Sequence, residues 1–104
     1  MIIVHGKVSI RPDLLAAALQ LSIEHVRRSR AEPGCLEHGV TQDPEMPTQL
    51  QFVERWADKP ALLAHFAVKE SVDFVRALAR MAAAKPEISI FSAELISLST
   101  DIQA

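Results

Sequence analysis

The apolar residues of this chain change their spacing along the sequence, and that change constrains the fold more than any other feature. In residues 2–10 they alternate, which predicts a strand with one buried face. In residues 14–30 they recur every three or four positions, which predicts an amphipathic helix. Alternation returns in residues 35–42 and 50–56, and these are predicted as the second and third strands.

The second half of the chain repeats the change of period. Asp58 can cap a helix that begins near Pro60 and carries Leu62, Leu63, His65 and Phe66. A further helix is predicted over residues 71–84, with one stripe made of Val72, Val75, Ala79 and Ala82. Residues 88–98 are predicted as a last strand, longer than the others, and residues 99–104 as a tail.

The predicted order is strand, helix, strand, strand, helix, strand. This is the ferredoxin-like βαββαβ arrangement of an α+β protein, with an antiparallel sheet and helices on one face. All 104 residues are predicted to form one domain. Because no predicted element covers the other sheet face, we expect a homodimer, the dimeric α+β barrel.

Charge and hydropathy argue against two classes of partner, nucleic acids and membranes. The 11 basic and 13 acidic residues are interspersed and give a net charge of −2, so a nucleic-acid partner is not expected. No apolar run approaches the roughly 20 residues that span a bilayer, so no membrane partner is expected either. The first residues lack the pattern of a signal peptide, and a cytoplasmic location is predicted.

A candidate site lies at the end of the third predicted strand. Trp56 and Glu54 point to the same side of that strand, and the next helix brings His65 back over it. An imidazole has an ordinary pKa near 6.5, so His65 is the predicted proton acceptor. Trp56 offers a flat surface on which an aromatic ligand could stack.

Glu54 has two interpretations. It could orient His65 or act as a second base. The favoured alternative is an ion pair with Arg55 of a facing subunit, or with Arg76 or Arg80.

The remaining candidates complete a predicted pocket. Phe52, Phe66 and Phe74 are predicted to form its apolar wall. His38, on the second strand, is the second choice of proton acceptor. His5 is expected at a dimer interface or in solvent, and His25 on the solvated side of the first helix.

Metal and cofactor motifs are not found. The four histidines show no HxH, HxxxH or HExxH spacing, so no metal site is predicted. The three glycines are scattered, which argues against a nucleotide cofactor. The single cysteine, Cys35, excludes an internal disulfide, and a nucleophilic role for it is not favoured.

Several of these residues match a known pattern. The chain resembles the antibiotic biosynthesis monooxygenase domain family, which includes small quinol monooxygenases. The matching features are Glu32-Pro33-Gly34-Cys35-Leu36, the Gln42-Asp43-Pro44-Glu45 turn, and Glu54-x-Trp56 followed nine residues later by His65. The resemblance implies dimers of ferredoxin-like protomers and oxidation of electron-rich aromatics by molecular oxygen, without flavin, haem or metal.

Two branches of that family fit less well. Its haem-degrading members carry a tryptophan at the position of His65 and a histidine where this chain has Val75, so haem degradation is not expected. Its anthrone-oxidising members carry an asparagine where this chain has Phe52.

The sequence thus predicts a cofactor-independent monooxygenase whose partners are a small quinol or polyphenol and molecular oxygen. Two alternatives stay open. One is an isomerase of a small phosphorylated metabolite, in which arginines would matter more than Trp56. The other is a non-catalytic small-molecule-binding or stress-response module of the same fold.

Overall fold

In residues 1–98, four strands and three α-helices follow one another in the predicted order. The computed structural model describes residues 1–98, so the predicted tail lies outside the described residues. The elements are β1 (Ile2–Ser9), α1 (Leu15–Ser29), β2 (Cys35–Gln42), β3 (Gln49–Trp56), α2 (Lys59–Ala67), α3 (Lys69–Met81) and β4 (Glu87–Ser92). A 3-10 turn over Pro12–Leu14 leads into α1.

The strands form one antiparallel sheet in the order β2-β3-β1-β4, which confirms the ferredoxin-like prediction. The register puts His38, Glu54, Val4 and Ile90 in one row across the sheet. Since directly paired residues share a face, all four lie on the side that the helices cover. In the part of the chain that the structure describes, no helix is long and apolar enough to cross a membrane.

Two predicted boundaries were wrong. β4 is shorter than the other strands and ends at Ser92, which pairs with Ile2; beyond it, Ala93 exchanges two backbone hydrogen bonds with Met1. α3 ends at Met81 rather than at residue 84, because the chain turns to pair with the end of β1. Ala82 bridges Ile10, and the backbone N–H of Ala83 donates to the carbonyl of Ser9 at 2.7 Å.

The buried stripe of α3 differs from the predicted one, and that of α1 agrees in part: of the predicted Leu15, Ala18, Leu19, Ser22, Ile23 and Val26, the residues Ala18, Ser22 and Val26 are buried. α1 buries a stripe spaced by four, three and four residues, made of Ala18, Ser22, His25 and Ser29. His25 is 4% exposed, so the prediction that it is solvated was wrong. α3 buries Ser71, Phe74 and Leu78 and leaves Val72 and Val75 exposed.

A tight turn connects α1 to β2 and contacts the start of α2. Gly34 has φ +81°, and a Cβ atom there would lie 2.5 Å from the Cβ of Ala61. A side chain at this position would therefore be strained and would push α2 away. The predicted cap of α2 is confirmed, since the Asp58 side chain accepts a hydrogen bond from the Ala61 N–H at 2.9 Å.

Most of the apolar interior lies at one end of the space between helices and sheet. We call it the apolar core, and its members are Val8, Ile10, Ala18, Leu50, Phe52, Phe74 and Leu78. A smaller group of Val4, Trp56 and Leu62 lies towards the other end. Together they hold α1, α2 and α3 on one face of the sheet.

Candidate functional site

A cavity of about 480 Å³ opens between α3 and the β1–β4 side of the sheet. Its wall is mostly apolar, and the three predicted phenylalanines all contribute to it: Phe52, Phe66 and Phe74. The wall also includes Glu54, His65 and His25. A ligand in this cavity would therefore meet aromatic rings and a small group of buried ionisable side chains.

His65 reaches the cavity from α2 and is 3% exposed. Its Nδ1 lies 2.9 Å from Oε1 of Glu32. Because a carboxylate only accepts, Nδ1 carries the proton of this hydrogen bond and the neutral ring keeps its lone pair on Nε2. The pair places a proton acceptor next to the cavity in a fixed orientation.

Glu32 was not predicted as a site residue. It belongs to the turn ending in Gly34, and the close packing of Gly34 on α2 brings that turn beside His65. The sequence contained one signal for it. Glu32 opens the five-residue motif on which the family resemblance depends.

Glu54 makes contacts different from the favoured prediction. Its Oε1 accepts a hydrogen bond from Nε1 of Trp56 at 2.9 Å and lies 3.4 Å from Nε2 of His38 and 3.9 Å from Nε2 of His65. Within residues 1–98 of one chain, Arg76 and Arg80 form no ion pair with this carboxylate, and the pair with Arg55 of a facing subunit stays a prediction. Burial alone would raise the pKa of Glu54, but the neighbouring His38, Trp56 and His65 outweigh it and lower that pKa.

Trp56 lies beneath this arrangement. Its side chain is fully buried, and it is not among the residues that line the cavity in the described part of the chain. Its ring centre is 4.6 Å from that of His65, with the planes tilted by 33°. The indole therefore packs against the imidazole and holds Glu54, instead of offering the cavity the stacking surface that we predicted.

His38 and His25 complete the buried group. His38 is 2% exposed and does not line this cavity, while His25 stacks on Phe74 with ring centres 3.9 Å apart. Nη2 of Arg28 contacts Nδ1 of His25 at 2.8 Å. Burial, followed by the charges of His38, His65 and Arg28, lowers the pKa of His25 to about 3.

We call this group the polar cluster, and its members are His25, His38, His65, Glu54 and Glu32. The three imidazole rings come from α1, β2 and α2, with ring centres 5.2 to 5.5 Å apart. One nitrogen from each lies within 4.8 Å of the other two. Because these residues are far apart in the chain, local spacing motifs could not reveal them.

Two other predicted candidates lie outside the cluster. His5 pairs with Val53 and Ser89 on the sheet face opposite the helices. Cys35 is half-buried, and burial together with Glu32 and Glu54 raises the pKa of its thiol. A raised pKa disfavours the thiolate that a nucleophile needs.

The fold and the site now allow comparison with known proteins. A sequence model of the family described as antibiotic biosynthesis monooxygenase matches residues 1–77. The chain belongs to this family. The predicted resemblance to this family is thereby confirmed over most of the chain.

Solved structures agree. A crystal structure of an antibiotic biosynthesis monooxygenase is 26% identical with a TM-score of 0.85, covering 91% of this chain and 100% of that one. A Deinococcus radiodurans protein assigned to the same group is 27% identical with a TM-score of 0.87, covering 93% and 97%. An uncharacterized protein of Synechocystis sp. is 30% identical over 90 residues, 86% of this chain. This chain spans 61% of the length of that relative.

These similarities support a function of the antibiotic biosynthesis monooxygenase type for this chain. Substrate and chemistry depend on the residues of the site itself.

Proposed function

We propose that this protein oxidises a small quinol or polyphenol with molecular oxygen, using side chains rather than a cofactor. The reaction balances with oxygen as the only co-reactant. One oxygen atom is added to the ring, which becomes a hydroxylated quinone. The other oxygen atom leaves as water with two hydrogens from the quinol.

The observation that carries this proposal is the Glu32–His65 pair at the wall of an apolar cavity. The Nδ1–H of His65 donates to Glu32 at 2.9 Å, which directs the basic Nε2 away from that carboxylate. Nε2 would take the phenolic proton of the substrate. The resulting anion is electron-rich enough to reduce oxygen.

The wall of the cavity supports the same reaction. Its volume of about 480 Å³ lies within the range of roughly 300–1,000 Å³ typical of small-molecule sites. Phe52, Phe66 and Phe74 supply aromatic surface for a ring and exclude water from the anion. Oε1 of Glu54 lies 3.9 Å from Nε2 of His65, and we assign Glu54 to stabilising the imidazolium that forms when Nε2 takes the proton.

Oxygen uptake tests the proposal directly. Chelator-treated protein is given a panel of hydroquinones and polyphenols, and we expect uptake with at least one of them. His65→Ala should lower the rate by about 10²- to 10⁴-fold, the usual contribution of a general base. Glu32→Gln should lower it less and shift its pH profile.

The matched control is His5→Ala, which removes a histidine from the opposite sheet face. It should leave the rate unchanged. Turnover that survives His65→Ala would refute the base assignment. Tight binding of an aromatic without any uptake would favour the alternative of a non-catalytic binding module.

The isomerase alternative finds less support. A phosphate would be expected to meet several cations, whereas the described wall of the cavity is mostly apolar and its cations are Arg76 and Lys7. Inorganic phosphate should therefore fail to displace an aromatic ligand.

We also propose that the uncovered sheet face pairs two chains. Val53 and Phe91 lie on that face and are exposed, at 41% and 52%. Burying them against a second copy would remove apolar surface from water. Sedimentation should give twice the chain mass, and Val53→Asp should shift the protein to monomer. The cytoplasmic location stays a prediction.

A further inference from the structure

Three buried histidines meet at one point of this fold. His25, His38 and His65 are 4%, 2% and 3% exposed, and one nitrogen of each lies within 4.8 Å of the others. We propose that these three imidazoles bind one divalent transition-metal ion. Imidazole nitrogens suit zinc, copper, nickel and iron, and three of them leave a coordination position open.

His38 gives the first independent argument. Within residues 1–98 its Nδ1 has no hydrogen-bond partner, and its Nε2 lies 3.4 Å from Oε1 of Glu54 without forming a well-aligned hydrogen bond. A buried polar ring is normally satisfied by hydrogen bonds, and leaving it unsatisfied is costly. A metal ion would give this ring the partner that it lacks.

His65 gives the second argument. Its Nδ1–H donates to Glu32, which leaves Nε2 for a metal ion. Metal-binding histidines commonly donate their other ring N–H to a carboxylate, because this fixes the ring and increases its basicity. Glu54, 3.9 Å from Nε2 of His65, lies close enough to balance the charge of the ion.

One contact of His25, with Arg28, opposes metal binding. Arg28 always donates, so its contact with Nδ1 places the proton of the neutral His25 ring on Nε2. Coordination through Nε2 would move that proton to Nδ1 and break the contact. Arg28 therefore weakens metal binding, and its removal should strengthen it.

The nitrogens must also move. Zinc–nitrogen bonds of about 2.0–2.1 Å bring tetrahedral ligand atoms to within about 3.4 Å of one another. The three nitrogens, now up to 4.8 Å apart, would have to approach one another by up to about 1.4 Å. Side-chain rotations of that size are within reach of rings that contact one another through their faces and edges.

The proposed metal site is distinct from the proposed oxidation, and a bound ion would slow that reaction. A bound ion would occupy the Nε2 lone pair of His65, which that reaction needs for proton abstraction. The metal-free protein would then be the faster form.

Binding is tested on the full chain after removal of metal with a chelator. Zinc is titrated by calorimetry and cobalt by its visible absorption. We expect one ion per chain and absorption typical of four-coordinate cobalt. His38→Ala should weaken zinc binding by at least about 100-fold, and His5→Ala should leave it unchanged, since His5 lies on the other sheet face.

Arg28→Leu keeps the test decisive if His38→Ala fails to fold. It should tighten zinc binding by about tenfold or more, the equivalent of one hydrogen bond to a charged group. A gain of affinity cannot result from misfolding. The proposal is overturned if the wild-type chain binds neither ion, or if Arg28→Leu and His38→Ala both bind zinc as the wild type does.

Zinc binding by calorimetry and cobalt binding by absorption are both measured without enzymatic turnover. A chain that binds zinc but oxidises no quinol supports the metal site and refutes the proposed function. A chain that oxidises quinols but binds no metal does the opposite.

Discussion

The space between the helices and the sheet holds the apolar core at one end and, at the other, the polar cluster beside the smaller group of Val4, Trp56 and Leu62. Three elements change character between the two ends. Along β3, Leu50 and Phe52 give way to Glu54. Along α1, Ala18 is followed on the buried stripe by Ser22, His25 and Ser29, and along α3 the change runs from Leu78 and Phe74 to Ser71.

The two ends contribute differently to stability. In the apolar core, burial of side chains such as Leu50 removes nonpolar surface from water, which is the dominant favourable term in folding. The polar cluster buries three imidazoles, and within residues 1–98 the hydroxyls of Ser22 and Ser71 lack hydrogen-bond partners. Such groups lower stability, so we infer that this end is kept for binding and chemistry and that the apolar core offsets its cost.

The largest effect is expected in the apolar core. Leu50 is fully buried among Val8, Ile10 and Leu78. Leu50→Ala should therefore lower the free energy of unfolding by about 2–5 kcal/mol, through lost burial and the cavity left behind. Urea denaturation followed by circular dichroism measures this loss of unfolding free energy.

The matched variant at the polar end is His38→Leu, at an equally buried position of the same sheet face. Replacing this ring by an apolar side chain of similar size leaves no large cavity but takes from Glu54 a neighbour that lowers its pKa, so it should cost less unfolding free energy than Leu50→Ala. If His38→Leu costs as much as Leu50→Ala, the contrast between the two ends is wrong.

Local pattern explains which features could be predicted. Alternating and helical spacing identified the four strands and three α-helices of residues 1–98, most of which bury one face. The two wrong boundaries, the ends of β4 and of α3, lie where pairing with another part of the chain determines the end of the element. β4 ends where its hydrogen bonding to the first strand reaches Ile2 and Met1, and α3 ends where Ala82 bridges Ile10. Neither contact has a local signal.

The site shows the same limit more strongly. The phenylalanines of the cavity wall and the placement of His65 followed from faces of single elements. Glu32 and His25 reach the site through the packing of α1 and its following turn against α2, which depends on tertiary structure. His25 follows Ala18 by seven residues, a spacing that places both on one face of a helix, but the prediction assigned His25 to the polar side of α1.

Acid should weaken the polar end specifically. The pKa of His25 falls from 6.5 to about 3 on folding. Between these values the unfolded chain binds a proton that the folded chain does not. Stability is therefore complete above pH 6.5 and is lost as the pH falls towards 3, by about 2 kcal/mol between pH 6.5 and 5. Denaturant unfolding at several pH values, with chelator present, measures it.

The control is His25→Phe, which keeps a ring on Phe74 but cannot titrate. Its unfolding free energy should be nearly independent of pH from 6.5 to 5 relative to wild type. The lowered pKa of Glu54 adds a loss in the same direction, but only below the ordinary value of 4.5. A wild-type profile that is flat down to pH 5 would contradict the burial of a neutral His25.

The smallest effect concerns the helix that carries His65. α2 begins at the Asp58 cap and buries Leu62 and His65 as its contacts with the interior. Asp58→Ala removes the hydrogen bond to the Ala61 N–H and should cost about 1 kcal/mol of unfolding free energy. Asp58→Asn, which can still cap, should cost much less.

Because α2 belongs to the polar end, the alanine variant should also increase amide hydrogen exchange in α2 while leaving exchange around Leu50 in β3 unchanged. Equal increases in both places would mean that the two ends open together and that the contrast in composition has no counterpart in local stability.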